Sequence, residues 1–361
     1  LVMAAYLLAR NDALSVVDVM NKIQSVRATA RLNKHQLKSL SAVKQRGRLK
    51  LNTQLALIAN PVAGGGKWKT YKEEILSHLN SQFRVTIYET TPELNATWQA
   101  HQAIKAGNEI LIACGGDGTV TEVATVTREH QKVLGIIPLG TANALSQIVY
   151  GLRSKLAPIT RACEVICEQQ YTPVDTAECN GKLMLLVSAI GFESQMIEHA
   201  DREEKNNGGQ MAYLEGLWKA MNTSNPQKLQ VTFDDESFEL DTPSFVIANA
   251  APLSTALAQG GDLPDMTDGE LDITWLTPTE DDMPLFTVAE LVFGNEQTKK
   301  SSQIIHHKRA KQVSIKLPEE QTYVIDGETY TTSEITVKCQ ARNLNILADS
   351  KRFDESYEVS D

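Results

Sequence analysis

Residues 114–119 read Cys-Gly-Gly-Asp-Gly-Thr and lie between the apolar run 110–114 and the helix-like segment 120–125. A strand therefore passes into a helix through three glycines and one carboxylate. Glycine lets a backbone approach a bulky anion, and the first turn of a helix offers unpaired N–H groups at a positive dipole end. The stretch predicts a phosphate-binding loop, and Thr119 and Glu122 have the spacing of a capping box at the start of the helix.

Asp117 is difficult to explain as a purely structural residue of such a loop. A carboxylate beside bound phosphates repels them unless a cation lies between the two. We therefore interpret Asp117 either as a residue linked to Mg²⁺ or as a group that handles a proton.

Two further segments have the same order of strand, loop and helix. The apolar strand 55–60 is followed by the glycine-rich turn 61–67, and the strand 133–138 leads into a Gly-Thr pair. The turn is not a Walker A loop, because Pro61 and Trp68 replace the glycine and the Ser/Thr of that motif. All three loops are expected at the carboxyl ends of parallel strands, where open α/β sheets bind ligands.

Three motifs occur along these segments in a specific order and spacing. They are Asn-Pro-x-Ala-Gly at 60–64, Gly-Gly-Asp-Gly-Thr at 115–119 and Pro-Leu-Gly-Thr-Ala-Asn at 138–143. Together they resemble the catalytic domain shared by diacylglycerol kinases, sphingosine kinases and bacterial lipid kinases. The resemblance extends over residues 52–348, and it implies an ATP- and Mg²⁺-dependent lipid kinase with its active site between two domains. The residues then expected at the nucleotide site are Asn60, Gly64, Gly65, Lys67, Thr90, Gly115, Gly116, Asp117, Gly118, Thr119, Val120, Thr121, Glu122, Gly140, Thr141 and Asn143.

The tripeptide Asp-Gly-Glu at 326–328 lies between two strand-like segments. On residue types alone it is a two-residue hairpin turn. Lipid kinases of the family that the chain resembles carry this tripeptide, and one of its carboxylates is assigned as the base for the lipid hydroxyl. The resemblance thus implies Glu328 as the first candidate base and Asp326 as the second, with Asp117 as the rival from the first domain.

An acidic segment at 260–272 resembles the family's Gly-Gly…Pro…Asp-Gly region, where some bacterial members bind a structural Mg²⁺. The resemblance implies Asp265, Asp268 and Glu270 as candidates for the metal site. Because the interval between the proline and the Asp-Gly pair is shorter here, the alternative is an acidic turn before a strand.

Charge and periodicity divide the chain into four parts. Residues 1–50 carry a net charge of +8, whereas the whole chain of 361 residues carries −10. Residues 51–170 alternate strands with helices, which predicts a nucleotide-binding α/β domain with a doubly wound parallel sheet. Residues 171–348 are interpreted as a β-sandwich-like lipid domain with a helical insertion at 194–221, and residues 349–361 as an acidic tail.

Local signals predict several elements. Pro92 favours a helix over 92–106. The basic stretch 299–311 is interpreted as a solvated connection, and the alternative is a segment attracted to phosphates or anionic headgroups. The strands expected in the second domain are 171–178, 183–190, 228–233, 244–250, 270–276, 311–317, 321–326 and 334–340.

The basic first part contains an apolar stripe at helical spacing, formed by Val16, Val19, Met20, Ile23 and Val26. One interpretation is attachment of this amphipathic helix to an anionic membrane. The other is a helix packed on the kinase domain, which the absence of Trp and Phe from the stripe favours.

Five cysteines without metal-site spacing favour a reduced, cytoplasmic protein, and no apolar run reaches the length of a membrane span. We therefore expect peripheral contact with the lipid substrate at the membrane surface and no nucleic-acid partner, and the sequence leaves the oligomeric state open. Two other functions remain: an NAD-kinase-like phosphotransferase with a soluble acceptor, or a catalytically silent lipid-binding protein.

Overall fold

The computed structural model describes residues 1–10, 14–45, 53–151, 156–191, 226–251, 264–277 and 304–349. Within these ranges the helices are Val2–Arg10 (α1), Val16–Val26 (α2), Lys34–Gln45 (α3), Lys67–Leu79 (α4), Ala96–Lys105 (α5), Asp117–Glu129 (α6), Ala144–Tyr150 (α7) and Pro158–Glu168 (α8). The strands are Thr53–Ala59 (β1), Phe83–Glu89 (β2), Ile110–Gly115 (β3), Val133–Pro138 (β4), Tyr171–Cys179 (β5), Lys182–Met184 (β6), Val187–Gly191 (β7), Gln227–Phe233 (β8), Glu236–Thr242 (β9), Ser244–Ala248 (β10), Leu271–Leu276 (β11), Ile305–Ala310 (β12), Gln312–Ile325 (β13) and Glu328–Leu347 (β14). The insertion predicted at 194–221 and the acidic tail beyond residue 349 lie outside the described residues.

Four parallel strands in the order β2-β1-β3-β4 form the first part of the sheet. Helices α4 and α8 pack together on one face, and α5 and α6 pack together on the other, as right-handed crossovers require. Since both faces are covered, the central strand β3 is buried along its whole length. The predicted doubly wound α/β arrangement is confirmed.

The β-rich part continues the same sheet through the long strand β14. The order runs β12-β11-β10-β7-β13-β14-β4, and the end of β14 pairs in parallel with β4 at Asn345 and Ile346. Along most of its length β14 also pairs with β13 and with β5, both antiparallel. Buried side chains from these strands, among them Phe245, Val313 and Val337, form a second core. This part has the β-sandwich-like character that the strand pattern predicts.

The structure corrects the predicted strand at 183–190. Two strands, β6 and β7, occupy this range because Leu185 and Leu186 leave the ladder and donate their backbone N–H groups to the carboxylate of Asp326. The strand predicted at 334–340 is also longer than expected, because β14 begins directly after the β13–β14 turn.

Two strands of the β-rich part were not predicted. Strand β9 pairs with β8, and strand β12 pairs with β11 over the range interpreted as a solvated connection at 299–311. The separate strands predicted at 311–317 and 321–326 are one strand, β13, with an irregularity between Lys316 and Gln321. Strand β9 is the second strand of a hairpin with β8, whereas β12 pairs with a strand that is separated from it in sequence.

The helix predicted over 92–106 begins four residues later, at Ala96. The side chain of Asn95 caps it by accepting a hydrogen bond from the backbone N–H of Trp98 at 2.9 Å. Asparagine is as strong an N-cap as serine or aspartate, so a local cap prevailed over the proline signal.

Helices α1 to α3 form a small unit around a cluster of buried side chains: Ala4, Leu8, Val19 and Leu40. Val26 was predicted to belong to the apolar stripe of α2, but its side chain is 90% exposed. Among the described helices, none combines the length and the apolar character that crossing a membrane requires.

We expect Tyr150→Phe to lower the free energy of unfolding by about 2 kcal/mol, because two buried backbone groups lose their partner. The buried Tyr150 hydroxyl accepts from the backbone N–H of Ile136 at 2.9 Å and donates to its carbonyl at 2.8 Å. Denaturant unfolding measures the change. Tyr171→Phe is the control, since Tyr171 is exposed and should tolerate the loss of its hydroxyl. Equal stability of the two variants would contradict the role of the Tyr150 bridge.

Candidate active site

Three loops meet at the carboxyl ends of β1, β3 and β4, as the sequence predicts. The backbone N–H of Asn60 donates to the carbonyl of Cys114 at 2.9 Å, and those of Leu139 and Gly140 donate to the carbonyl of Gly115 at 2.9 and 3.2 Å. The loop after β3 is therefore bound by main-chain hydrogen bonds on both sides.

Side chains add two further links between these loops. The amide nitrogen of Asn60 donates to the Thr119 hydroxyl at 3.2 Å, and the Lys67 ammonium group donates to the carbonyl of Gly140 at 3.1 Å. The Lys67 charge thus lies where the first and third loops meet. Such a charge suits an anionic ligand that contacts both loops.

The loops approach so closely that glycine is required at two positions. Gly64 has φ of +56°, and a Cβ there would lie 1.9 Å from the carbonyl oxygen of Leu139. A Cβ on Gly140 would lie 2.6 Å from the Cα of Gly116. Any side chain at either position would force the loops apart and change the surface offered to a ligand.

Asp117 has a structural role that the sequence did not reveal. Its carboxylate accepts hydrogen bonds from the backbone N–H groups of Asn143 and Ala144 at 2.9 and 2.8 Å. These groups belong to the start of α7, so the carboxylate joins the loop after β3 to the loop after β4.

The capping box predicted from Thr119 and Glu122 is wrong. Helix α6 begins earlier, at Asp117, and Glu122 instead accepts from the backbone N–H and the hydroxyl of Thr97 at 2.9 and 3.2 Å. Glu122 therefore ties α6 to α5. Its carboxylate has partners that account for it without a nucleotide.

The other predicted nucleotide residues occupy different environments. Thr141 is exposed at the third loop, whereas the Val120 side chain is buried in the core of the first part. The hydroxyl of Thr121 donates to the carbonyl of Asp117 at 3.2 Å, and the backbone of Thr90 donates to Ala59 at 2.8 Å. Because its side chain is buried, Val120 could contact a ligand only through main-chain atoms. For all four residues, contact with a nucleotide stays a prediction.

Asp326 and Gly327 form a two-residue turn between β13 and β14, and both have positive φ. The Asp326 carboxylate accepts three backbone hydrogen bonds, from Leu185 at 2.6 Å and from Leu186 and Val187 at 2.9 Å each. It thereby fixes the connection between β6 and β7.

The Asp326 carboxylate also experiences the charge of Asp117. Burial raises the pKa of Asp326 to about 6, the three amide hydrogen bonds oppose the rise, and the negative charge of Asp117 adds to it. The two carboxylates come from the parallel and the β-rich parts of the chain, so the structure brings these predicted residues together.

Glu328 differs from Asp326 in its surroundings. It is exposed at the start of β14, and its carboxylate makes no hydrogen bond or ion pair with another described residue. A carboxylate without such partners can reach an incoming hydroxyl group. The structure therefore separates a held carboxylate from an accessible one within the same tripeptide.

The structure does not bring Asp265, Asp268 and Glu270 together as a metal site. Asp265 accepts from the backbone and hydroxyl of Thr267 at 2.9 and 2.7 Å, and Asp268 accepts from the backbone of Glu270 at 2.9 Å. Across the described ranges, no three His, Cys, Asp or Glu side chains are grouped to hold a metal ion. The segment is an acidic turn, and a site formed through main-chain carbonyls stays a prediction.

Sequence reasoning missed two buried polar residues, Asn249 and Asp175, near the junction between the parallel and the β-rich parts of the chain. Asn249 donates from its side chain to the carbonyls of Asp175 and Leu185 at 3.1 and 2.9 Å. The carboxylate of Asp175 accepts from the backbones of Gly269 and Arg342, both at 2.6 Å. The sequence signal that could have identified Asn249 is its position as a polar residue directly after the apolar strand β10.

Family models match nearly all of the two parts that meet at this site. Residues 54–179 match the diacylglycerol kinase catalytic domain, and residues 186–348 match the YegS C-terminal NAD kinase beta sandwich-like domain.

Individual proteins are similar to this chain over most of its length. An uncharacterized protein of Synechocystis sp. is 36% identical over 308 residues, which cover 81% of this chain and 69% of that protein. A diacylglycerol kinase of Staphylococcus saprophyticus is 26% identical over 279 residues, which cover 75% and 88% of the two chains. A crystal structure of a diacylglycerol kinase from Bacillus anthracis has the same fold, with a TM-score of 0.61, 22% identity and coverage of 82% and 97%. The chain belongs to the diacylglycerol kinase catalytic-domain family of lipid kinases.

Proposed function

We propose that the protein transfers the γ-phosphate of ATP to a hydroxyl group of a membrane lipid such as a diacylglycerol or a sphingoid base. The observation that carries the proposal is the junction itself. Glycine loops suited to phosphates meet a pair of carboxylates, Asp117 and Asp326, that come from different parts of the chain. The similarity to a staphylococcal diacylglycerol kinase supports a lipid acceptor.

Phosphoryl transfer requires mainly positioning and charge neutralisation. The main-chain N–H groups of the three loops and the ammonium group of Lys67 would bind the phosphates. Asp326 would act as a positioning residue, because it holds residues 185–187 beside the junction. Glu328 would accept the proton of the lipid hydroxyl, since its carboxylate is exposed and makes no hydrogen bond or ion pair with another residue that the structure describes.

The residues at the junction fit Mg²⁺ bound together with a nucleotide. Magnesium is commonly held by one or two carboxylates plus phosphate oxygens, which matches the carboxylate of Asp117 in the glycine-rich loop after β3 better than a site made of side chains alone. When bound there, the ion would neutralise charge on the transferred phosphoryl group.

The proposal is tested by transfer of labelled phosphate from ATP to an acceptor panel. The panel contains diacylglycerol, monoacylglycerol, ceramide, sphingosine and phosphatidylglycerol in mixed micelles, with NAD as the soluble acceptor. We expect label in a lipid product only when Mg²⁺ is present. Label in NAD alone, or none in any acceptor, would refute a lipid kinase.

We expect Asp117→Asn to lower turnover by about 10²- to 10³-fold, because the charge that organises the phosphates is lost. Asp117 accepts one backbone N–H at each carboxylate oxygen, and an asparagine side chain replaces one of these oxygens by an NH₂ donor. One backbone hydrogen bond is therefore lost, and a small fall in melting temperature is expected. Single-turnover transfer and thermal melting measure the two effects. Asp235→Asn, in the turn after β8, is the matched control with unchanged turnover. Near wild-type turnover in folded Asp117→Asn would exclude the assigned role.

We expect Glu328→Gln to lower turnover by about 10²- to 10⁴-fold while ATP affinity and melting temperature stay unchanged, because an exposed base is lost. Asp326→Asn should lower both turnover and melting temperature, since it disturbs three backbone hydrogen bonds. Turnover, nucleotide binding and melting are compared for both variants. If Glu328→Gln is fully active and Asp326→Asn is folded but inactive, the base is Asp326.

The raised pKa of Asp326 predicts a dependence of stability on pH. The folded protein binds this proton more tightly than the unfolded chain, with a pKa of about 6 against an ordinary value of 3.8. The contribution of this group to the free energy of unfolding therefore falls as pH rises through that interval and is constant above it. Melting temperatures across this range are compared between the wild type and Asp326→Asn. If melting temperature changed with pH in the same way for both proteins, Asp326 would not be the group responsible for the dependence.

A further inference from the structure

The helical unit α1 to α3 uses the apolar stripe of α2 for its own core. Val19 is fully buried, and Val16, Met20 and Ile23 pack against the same cluster. The stripe that the sequence suggested for membrane attachment is therefore occupied by α1 and α3. A membrane contact through this unit requires a different surface.

That surface is present on α1. Val2, Met3 and Tyr6 are 84%, 58% and 43% exposed, although the opposite side of the helix supplies Ala4 and Leu8 to the core. The i, i+1 and i+4 positions of the three side chains place them on one side of the helix. Three exposed large apolar side chains on a helix of nine residues form an unpartnered apolar face.

The same unit exposes an excess of positive charge. Five of its basic residues are exposed, and none forms an ion pair within the described ranges: Lys22, Arg27, Arg31, Lys34 and Lys38. Asp18, the acidic residue of the described unit, caps α2 by accepting from the backbone of Ser15 at 2.8 Å. These cations are thus available to an external anion.

We propose that α1 and the exposed cations of α2 and α3 dock the protein on an anionic membrane surface. Basic side chains draw the unit to acidic headgroups, and the apolar face of α1 enters the boundary between headgroups and acyl chains. Cations alone would equally suit a nucleic acid, but an exposed apolar face favours a bilayer. Since residues 1–50 carry +8 and the whole chain −10, the rest of the protein is repelled by the same surface. The unit α1 to α3 would therefore face the membrane.

This inference does not depend on the proposed kinase activity, because docking is measured without nucleotide. The full chain is sedimented with phosphatidylcholine vesicles and with vesicles that also contain phosphatidylglycerol. We expect binding to the anionic vesicles only, and a marked decrease at about 0.5 M salt. Equal binding to both compositions, or binding to RNA without binding to vesicles, overturns the proposal.

Two sets of variants test the two components separately. Neutralising Lys22, Lys34 and Lys38 as Lys→Gln should weaken vesicle binding about fivefold for each charge. Replacing Val2, Met3 and Tyr6 by serine should weaken it about tenfold or more and should remove the binding that persists in salt.

The matched control replaces two exposed apolar residues outside the unit, as Leu156→Ser with Tyr171→Ser, and should bind like the wild type. All substituted side chains are exposed, so circular dichroism should show the same helix content in every variant. The proposal is contradicted if either the lysine variants or the serine variants bind anionic vesicles as tightly as the wild type. It is also contradicted if the control loses as much vesicle affinity as they do. Transfer to a short-chain acceptor in solution should remain in the test variants, which separates failure of docking from failure of catalysis.

Discussion

Two like charges held near one another by main-chain N–H groups are the constraint on which the site depends. Asp117 is bound by two backbone amides and Asp326 by three. Each such bond to a charged acceptor contributes about 1.5 to 3 kcal/mol. The bonds offset only part of the cost of burial and mutual repulsion, since the pKa of Asp326 is still raised. Because the amides belong to the start of α7 and to the β6–β7 connection, the same bonds fix the loops around the junction.

This arrangement suits phosphoryl transfer because it places two negatively charged carboxylates at the junction between the two parts. A pair of carboxylates near a bound polyphosphate is unfavourable until a cation joins them. The glycine loops contribute the opposite potential through N–H groups and Lys67. The proposed nucleotide and metal would therefore bind more tightly together than either would alone.

Local patterns were sufficient for the first part of the fold and for the position of its loops. Alternating apolar strands and helices over 51–170 predicted the parallel α/β arrangement, and glycine clusters marked the loops. The hydrogen bonds of Asp117 could not be predicted, because its partners Asn143 and Ala144 lie 26 and 27 residues further along the chain. Strand β12 was missed for the same reason, since its basic sequence forms a strand only when β11 is beside it.

Strand β14 has a consequence for how the protein unfolds. It pairs with β13 and β5 in the β-rich part and with β4 in the parallel part, so its backbone cannot leave one part without disturbing the other. Cooperative units in proteins generally follow such shared hydrogen-bond networks. The two parts are therefore expected to lose structure in one concerted transition, and the amide protons of β14 are expected to exchange with solvent among the last.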